Sequence, residues 1–426
     1  MSNMEARTSK VAIVRCDSYE REKVSGAVRE AVELLGGIDS ILGEAAAVQS
    51  MGKDAEIVLK LNMLGRHAPE KAVTTHPEVF RAVGELLQEN GYGNLVYGDS
   101  PGSPVSNMEK TAEGCGLKAV ADELGIKPGD FDRGTDVDYP EGKVARRFVL
   151  CNEIAKATGA GGKEPAGLII NICKMKTHQL ERITGAVKNT FGCVCGVNKA
   201  MTHATYQSPE HFARMLADLN TLVRPALHIM DGIVAMDGNG PASGDPFPMN
   251  AILVSTDPVA LDAMFCKLIY LDPQMVATNT ACADAGVGTW DDEKIEILLG
   301  GVPMQKEGAV ITTDELEVKY ADKNFNVQRS REFRGSMSLM GFVRRFANKK
   351  PVVIANKCVG CGVCEQTCPL EDKAVIVRQD STGRAVAQYD HSKCIKCYCC
   401  QEMCPERAIT VKKSLLAKIV DRRWKV

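Results

Sequence analysis

The chain of 426 residues sets 52 Lys and Arg against 54 Asp and Glu, for a net charge of −2, and is 5% aromatic. That balance gives no global attraction to nucleic acid or to an anionic membrane, and no basic stripe with interleaved aromatics marks a nucleic-acid platform. The length exceeds one small core and fits two or three domains, and no run reaches the about 18 apolar residues of a transmembrane segment.

From Val11 to about Gly300, short β-branched runs alternate with longer amphipathic ones. The N-terminal MSNMEARTSK leads straight into VAIVRC (11–16), a predicted strand, without the apolar core of a secretory signal. The 17 cysteines are therefore expected in a reducing, cytoplasmic setting, where thiolates can bind metal. REKVSGAVREAVELLGG (21–37) follows as a helix, EIVLKLNM (56–63) as a strand, HPEVFRAVGELLQENG (76–91) as a helix and NLVYGD (94–99) as a strand. GLIINIC (167–173) reads as a strand, SPEHFARMLADLNTLV (208–223) as a helix, ALHIMDGIV (226–234) and AILVSTD (251–257) as strands, and DPVALDAMFCKLIYL (257–271) as a helix. Such alternation predicts an α/β fold over residues 1–335, a mainly parallel sheet with helices on both faces. Residues 336–350 read as a linker, 351–411 as a small α+β ferredoxin-like domain, and 412–426 as a basic amphipathic helix. That helix is expected to dock on the large domain, one short helix being a weak membrane anchor.

The last third carries CVGCGVCEQTCP (358–369) and CIKCYCCQEMCP (394–405), two copies of the C-x2-C-x2-C-x3-C-P run. Three thiolates two residues apart wrap one face of a 4Fe-4S cubane, and the fourth, turned away by proline, ligates the cluster of the other copy. The spacing assigns Cys358, Cys361, Cys364 and Cys404 to one cluster, and Cys394, Cys397, Cys400 and Cys368 to a second. A zinc ribbon needs two C-x2-C pairs and no third thiolate in step with them. Cys399 breaks the spacing and reads as a packed neighbour.

Ligands of an open parallel sheet bind beyond the carboxyl ends of its strands. Lys60 and Asn62 follow the second predicted strand, and Asp99 and Ser100 the third. Lys174, Lys176 and His178 follow GLIINIC; Asp231, then Asp237 and Asn239, follow ALHIM; Thr256 and Asp257 follow AILVS. Five such ends predict a lined pocket, with Lys188, Asn189, Lys199 and His203 supplied from the glycine-spaced stretch after His178. Clustered lysines suit a carboxylate or phosphate. Lys174, Lys176, His178, Lys188, Asn189 and His203 are the expected catalytic residues; Lys60, Asn62, Asp99, Ser100, Asp231, Asp237 and Asn239 the expected substrate-binding ones. Asp257 also fits a helix cap. ATGAGGKE (157–164) lacks the first glycine and final Ser/Thr of a P-loop, DGNGPASGD (237–245) fails as a calcium loop, and no G-x-G-x-x-G follows the first strand. Cys173, Cys193 and Cys195 read as packed thiols or a redox-sensitive pair.

Lys60-Leu61-Asn62, Thr75-His76-Pro77, Gly98 to Gly102, Asn171 through Lys174, Lys176, Thr177, His178, Gly185, Lys188 and Asn189 to Gly192, Asp231-Gly232, Gly238 to Pro241 and Asp257-Pro258 to Asp262 together resemble the domain-of-unknown-function family numbered 362, iron–sulfur-centre proteins often fused to a two-cluster ferredoxin module. The chain departs from that pattern at Cys173 and Cys195, where proline is expected. The resemblance implies the architecture and site placement but no settled reaction. Three functions compete: an iron–sulfur reductase of anaerobic metabolism that passes low-potential electrons from a soluble donor or acceptor protein to an anionic small molecule; an electron-transfer or assembly partner without its own substrate; and a non-redox enzyme with structural or sensory clusters. Two 4Fe-4S clusters are the expected cofactors in each.

Overall fold

The computed structural model describes residues 8–102, 106–196, 198–301, 309–329 and 349–412. The expected C-terminal helix beyond Lys412, and all but the last two residues of the expected linker, lie outside the described residues.

The strands in chain order are β1 (Ser9–Arg15), β2 (Glu56–Lys60), β3 (Leu95–Gly98), β4 (Lys127–Pro128), β5 (Gly134–Asp138), β6 (Arg147–Cys151), β7 (Gly167–His178), β8 (Arg182–Thr184), β9 (Leu227–Asp237), β10 (Asp245–Ser255), β11 (Ile295–Gly300) and β12 (Ala309–Ile311). All but β5 and β6, which pair with each other, form one sheet ordered β12-β11-β1-β10-β9-β7-β2-β3-β4, with β8 attached to β7. The contacts β1/β11, β7/β9, β2/β7, β2/β3 and β3/β4 are parallel, so the sheet is mainly parallel and the chain an α/β protein. Alternate residues of β1 enter opposite cores. Ala12 and Val14 pack with the helices Arg21–Leu34 and Pro77–Glu89, whereas Val11 and Ile13 pack with Pro258–Leu268. Helices therefore cover both faces, which is why the strands carry little polar surface.

Two features depart from the expected pattern, and both move the chemistry. β9 and β10 form a long hairpin, so β10 runs antiparallel to β9 and to β1. Its carboxyl end therefore lies at the opposite edge, where Asp257 accepts the Ser9 hydroxyl at 2.6 Å and caps its helix through Val259 N and Ala260 N. Asp257 therefore drops out of the expected set of converging strand ends. Secondly, β7 does not stop at Cys173 but continues as strand through His178, buried along all 12 residues. With side chains alternating, Lys174, Lys176 and His178 share one face, and β8 pairs back onto Lys176–His178.

The C-terminal region pairs β13 (Lys350–Val353) with β16 (Ile409–Lys412) and β14 (Val375–Gln379) with β15 (Ala385–Tyr389), all antiparallel. The short helices Val363–Thr367 and Cys399–Glu402 each carry the third cysteine of one motif. The tip of the β9–β10 hairpin rests on this module. Gln401 donates to Asn239 O at 2.9 Å and Arg407 to Gly244 O at 3.4 Å.

Candidate functional site

A cleft enclosing about 670 Å3, open to solvent, lies between the carboxyl ends of β2, β3 and β7 and the helix Cys399–Glu402. Its floor begins with Lys60, wholly buried, whose ammonium stands 3.0 Å from Asp99 Oδ1 and donates to Leu61 O and Asn189 O. Asp99 also accepts Met63 N at 2.7 Å. Gly192 covers this pair closely: a Cβ there would sit 2.0 Å from Asp99 Oδ1 and 2.5 Å from Lys60 Nζ. A neutral floor pair and a side-chain-free lid leave the space above to other groups.

Lys176 is one of them. Its Nζ donates to Asn62 Oδ1 at 2.7 Å and Val73 O at 2.8 Å, both neutral acceptors. Asn62 is aimed by a string of amides: its Nδ2 donates to Asn189 Oδ1, Asn189 Nδ2 to Asn171 Oδ1, and Asn171 Nδ2 to Ala186 O and towards His228 Nδ1. Burial pushes His228 down to about 3, so its imidazole is neutral and fit to accept. With no carboxylate bonded to it among the described residues, Lys176 is lowered by burial to about 7, the pull of Glu402 being offset by Lys188.

His178 Nδ1 accepts Leu180 N and Glu181 N at 3.1 and 3.2 Å, which leaves the proton on Nε2. That Nε2 stands 2.9 Å from Glu402 Oε1 of the ferredoxin-like module. Burial and the nearby Lys188 lower the His178 pKa, so the ring is neutral at physiological pH. Lys188 sits on the short helix Ala186–Asn189, whose first N–H groups are held by Asp262 at 2.6 and 3.1 Å. Its ammonium lies 4.9 and 5.4 Å from the Phe191 and Phe212 ring centres. His203 stacks on Phe212 and is pushed down to about 3 by burial. Lys199 donates to Ser100 O, and Ser100 Oγ accepts Gly196 N.

Thr367, Cys399, Glu402 and Met403 complete the wall from the module. Thr367 and Cys399 are the sequence neighbours of Cys368 and Cys400. Within the module, Cys358, Cys361, Cys364 and Cys404 line one cavity. Cys394 neighbours both Cys397 and Cys368, and Cys400 lies near Cys397 and Cys394. Among the described residues no three His, Cys, Asp or Glu side chains converge tightly enough for a single ion, whereas a cavity ringed by four thiols suits a cubane. Backbone N–H groups already meet two of these sulfurs, Ala387 N to Cys358 at 3.4 Å and Ala408 N to Cys404 at 3.3 Å. The two motifs also share a backbone. Gly360 and Gly362 have φ of +67° and +78°, and their counterparts Lys396 and Tyr398 have +61° and +63°. A non-glycine residue held in that region at both positions marks a turn imposed by the motif.

A domain of unknown function (DUF362) matches residues 57–267, and a 4Fe-4S dicluster domain matches residues 357–408. Thylakoid-associated protein sll1697 of Synechocystis sp. is 32% identical over 272 residues, which cover 64% of this chain and 78% of that protein. The chain belongs to the DUF362 family. No solved structure matches it. This DUF362 member is thus an iron–sulfur protein with a C-terminal ferredoxin-type domain, and no helix among the described residues is long and apolar enough to cross a membrane.

Of the residues expected at the site, Asn62, Asp99, Ser100, Lys176, His178, Lys188, Asn189 and His203 line the cleft, with Lys60 beneath it. Lys174, Asp231, Asp237 and Asn239 do not. Lys174 is neutralised by Asp231 at 2.8 Å in a cluster with Tyr19 and His76 N, so both charges are spent within the fold. Asp237 accepts Asn326 N, and Asn239 joins the hairpin tip to the module. Asp231, Asp237, Asp257 and Asp262 serve separate backbone or lysine partners. Cys195 shares a thiol hydrogen bond with Cys151, not with Cys193, and this lowers its pKa. Glu402, Thr184 and Met403 were missed. A carboxylate two residues past a cysteine reads as solvated until the module docks.

Proposed function

We propose that this chain is an iron–sulfur oxidoreductase acting on an anionic small molecule held in the cleft between the DUF362 domain and its ferredoxin-type module. The observation that carries the reading is the composition of the cleft wall. Lys176, His178 and Lys188 face Thr367, Cys399 and Glu402, so residues adjoining two expected cluster ligands, Cys368 and Cys400, stand against the substrate space. In this reading Cys358, Cys361, Cys364 and Cys404 hold one cluster and Cys394, Cys397, Cys400 and Cys368 the second. When bound, the clusters supply single electrons at low potential. Lys176 keeps two of its N–H bonds on Asn62 and Val73 and offers the third to the substrate, from an ammonium that releases its proton near neutral pH. His178, neutral and protonated on Nε2, orients the substrate as a hydrogen-bond donor. It is a donor of a hydrogen bond and not the proton source, because its Nδ1 is committed to two backbone N–H groups and the ring stays neutral. The cytoplasmic setting and the soluble protein that exchanges electrons with the module belong to the same reading.

The test is stopped-flow mixing of dithionite-reduced, anaerobically prepared protein with a panel of carboxylates and phosphates, following the visible cluster absorbance. At least one anion should reoxidise the protein, and Lys176→Met should slow that step by about 10²-fold or more, the usual contribution of a positioned acid. Reoxidation by a partner protein but by no small anion would favour the electron carrier instead.

A further inference from the structure

Lys188 is 8% exposed, lines the cleft, and has no hydrogen bond or salt bridge among the described residues; its ammonium lies over the faces of Phe191 and Phe212, and Glu402 acts on it only through space. Among the described residues, five buried side-chain atoms of the cleft wall have no hydrogen bond: Thr184 Oγ1 and His203 Nδ1, Asp99 Oδ1 beside Lys60, and His178 Nε2 and Glu402 Oε1, which face each other. Buried polar groups are otherwise almost always satisfied. Lys188, Thr184 and His203, which have no acidic neighbour bonded to them among the described residues, thus bring unpaired polar groups to the wall of one cleft. Charge points the same way. Among the described residues of the wall, Lys176, Lys188 and Lys199 face Asp99 and Glu402, and Asp99 is already matched from below by Lys60. Two positive charges of the cleft are therefore left without a counter-charge when Lys176 is protonated.

Resting on the reading of this cleft as a substrate site, we infer that its wall holds a subsite for a doubly charged oxyanion, a phosphate monoester or a dicarboxylate, centred on Lys188 Nζ with Thr184 and His203 beside it. Lys188 supplies the point charge, and its position over two aromatic rings fixes the ammonium without neutralising it. Thr184 Oγ1 and His203 Nδ1 supply direction. A single carboxylate leaves one of the two charges unmatched, so the subsite discriminates by charge number.

The experiment is calorimetric titration of the full, cluster-loaded chain without electron donor at pH 8, with inorganic phosphate, succinate and acetate as probes. Phosphate or succinate should bind at least tenfold more tightly than acetate, and whichever binds better assigns the phosphate or the dicarboxylate class. Lys188→Met should weaken that dianion at least tenfold and Lys188→Arg by less than threefold, while Thr184→Val provides a second, uncharged probe of the same subsite. The tighter dianion should also draw up a proton, seen by repeating the titration in buffers of different ionisation enthalpy, because it stabilises the ammonium of Lys176. Acetate binding as well as either dianion, no dianion binding at millimolar concentration, or an unaffected Lys188→Met protein with wild-type iron content would each overturn the subsite. No electron donor is present, so failure of the proposed reduction leaves this result standing, and reduction without dianion preference removes only the subsite.

Discussion

His178 Nε2 and Glu402 Oε1 stand 2.9 Å apart, and this contact ties the second half of β7 to the helix that carries Cys400. Among the described residues neither atom has an aligned hydrogen bond, and Glu402 answers His178 first and Lys188 next. The buried carboxylate is thus the module's counter-charge to a cationic cleft. Glu402→Ala should destabilise the anaerobically prepared protein by roughly 1–3 kcal/mol, the cost of leaving buried charged partners unmatched. Glu402→Leu should cost at least as much, because filling the volume does not restore the charge. Denaturant unfolding of the variants measures this, and a Leu variant as stable as wild type would show the contact to be packing alone.

Gly192 has a second testable consequence. Its missing Cβ is what allows the Lys60–Asp99 pair to lie directly beneath it. Both neighbours are side-chain ends, but both are buried and each is held by further backbone bonds, so neither can swing away without losing partners. Gly192→Ala should therefore destabilise by about 1–3 kcal/mol, as overpacking does, and should weaken anion binding as the pair shifts. Thermal unfolding and the anion titration measure the two effects, and an alanine variant equal to wild type in both would remove the close-approach argument.

Cluster ligation can be sorted by matching variants rather than by single losses. The loaded protein should hold about eight irons and eight acid-labile sulfides. Cys404→Ala should share the iron content and reduced-state magnetic resonance spectrum of Cys361→Ala, and Cys368→Ala those of Cys397→Ala, if the proline-linked thiolates cross between motifs. Cys399→Ala should keep full iron. Cys404→Ala resembling Cys397→Ala would reverse the assignment.

The local parts of this protein were legible in its sequence. Cysteine spacing is set within 12 residues, and the apolar runs that became β1, β2 and β3 carry their strand character in their own side chains. Even Asp257 announced its cap by standing before Pro258. What failed was long-range. Nothing near residues 245–255 says that β10 returns beside β9 instead of crossing over, and that one reversal sends Asp257 to the far edge. Lys174, Lys176 and His178 read as a loop because charged residues seldom fill a buried strand, yet Asp231, Asn62 and Glu402, all remote in sequence, make that strand affordable. Lys174 and Lys176 looked equivalent. Only the presence of a carboxylate beside one and an amide beside the other separates a structural ion pair from a titratable amine.

That difference gives the last prediction. An unfolded lysine keeps its proton to about 10.5, whereas buried Lys176 releases it at about 7. Between those values the unfolded chain binds more protons, so the penalty of burying this ammonium, full below pH 7, fades as pH rises, and stability climbs by at most about 1.4 kcal/mol per pH unit from this group. Lys176→Met should flatten that climb, as unfolding measured between pH 7 and 9.5 would reveal. The proton-donating form follows the opposite course, and reoxidation by the substrate anion should decline above about pH 7 in the wild type. Asn62→Asp puts a carboxylate where the amide oxygen now lies 2.7 Å from Nζ, favouring the ammonium and moving the decline upward by about 1–3 pH units. The same variant should bind dianions less tightly, since one positive charge is now matched within the protein. A decline that stays near pH 7 in Asn62→Asp, with the fold intact, would mean that the titrating group is not Lys176.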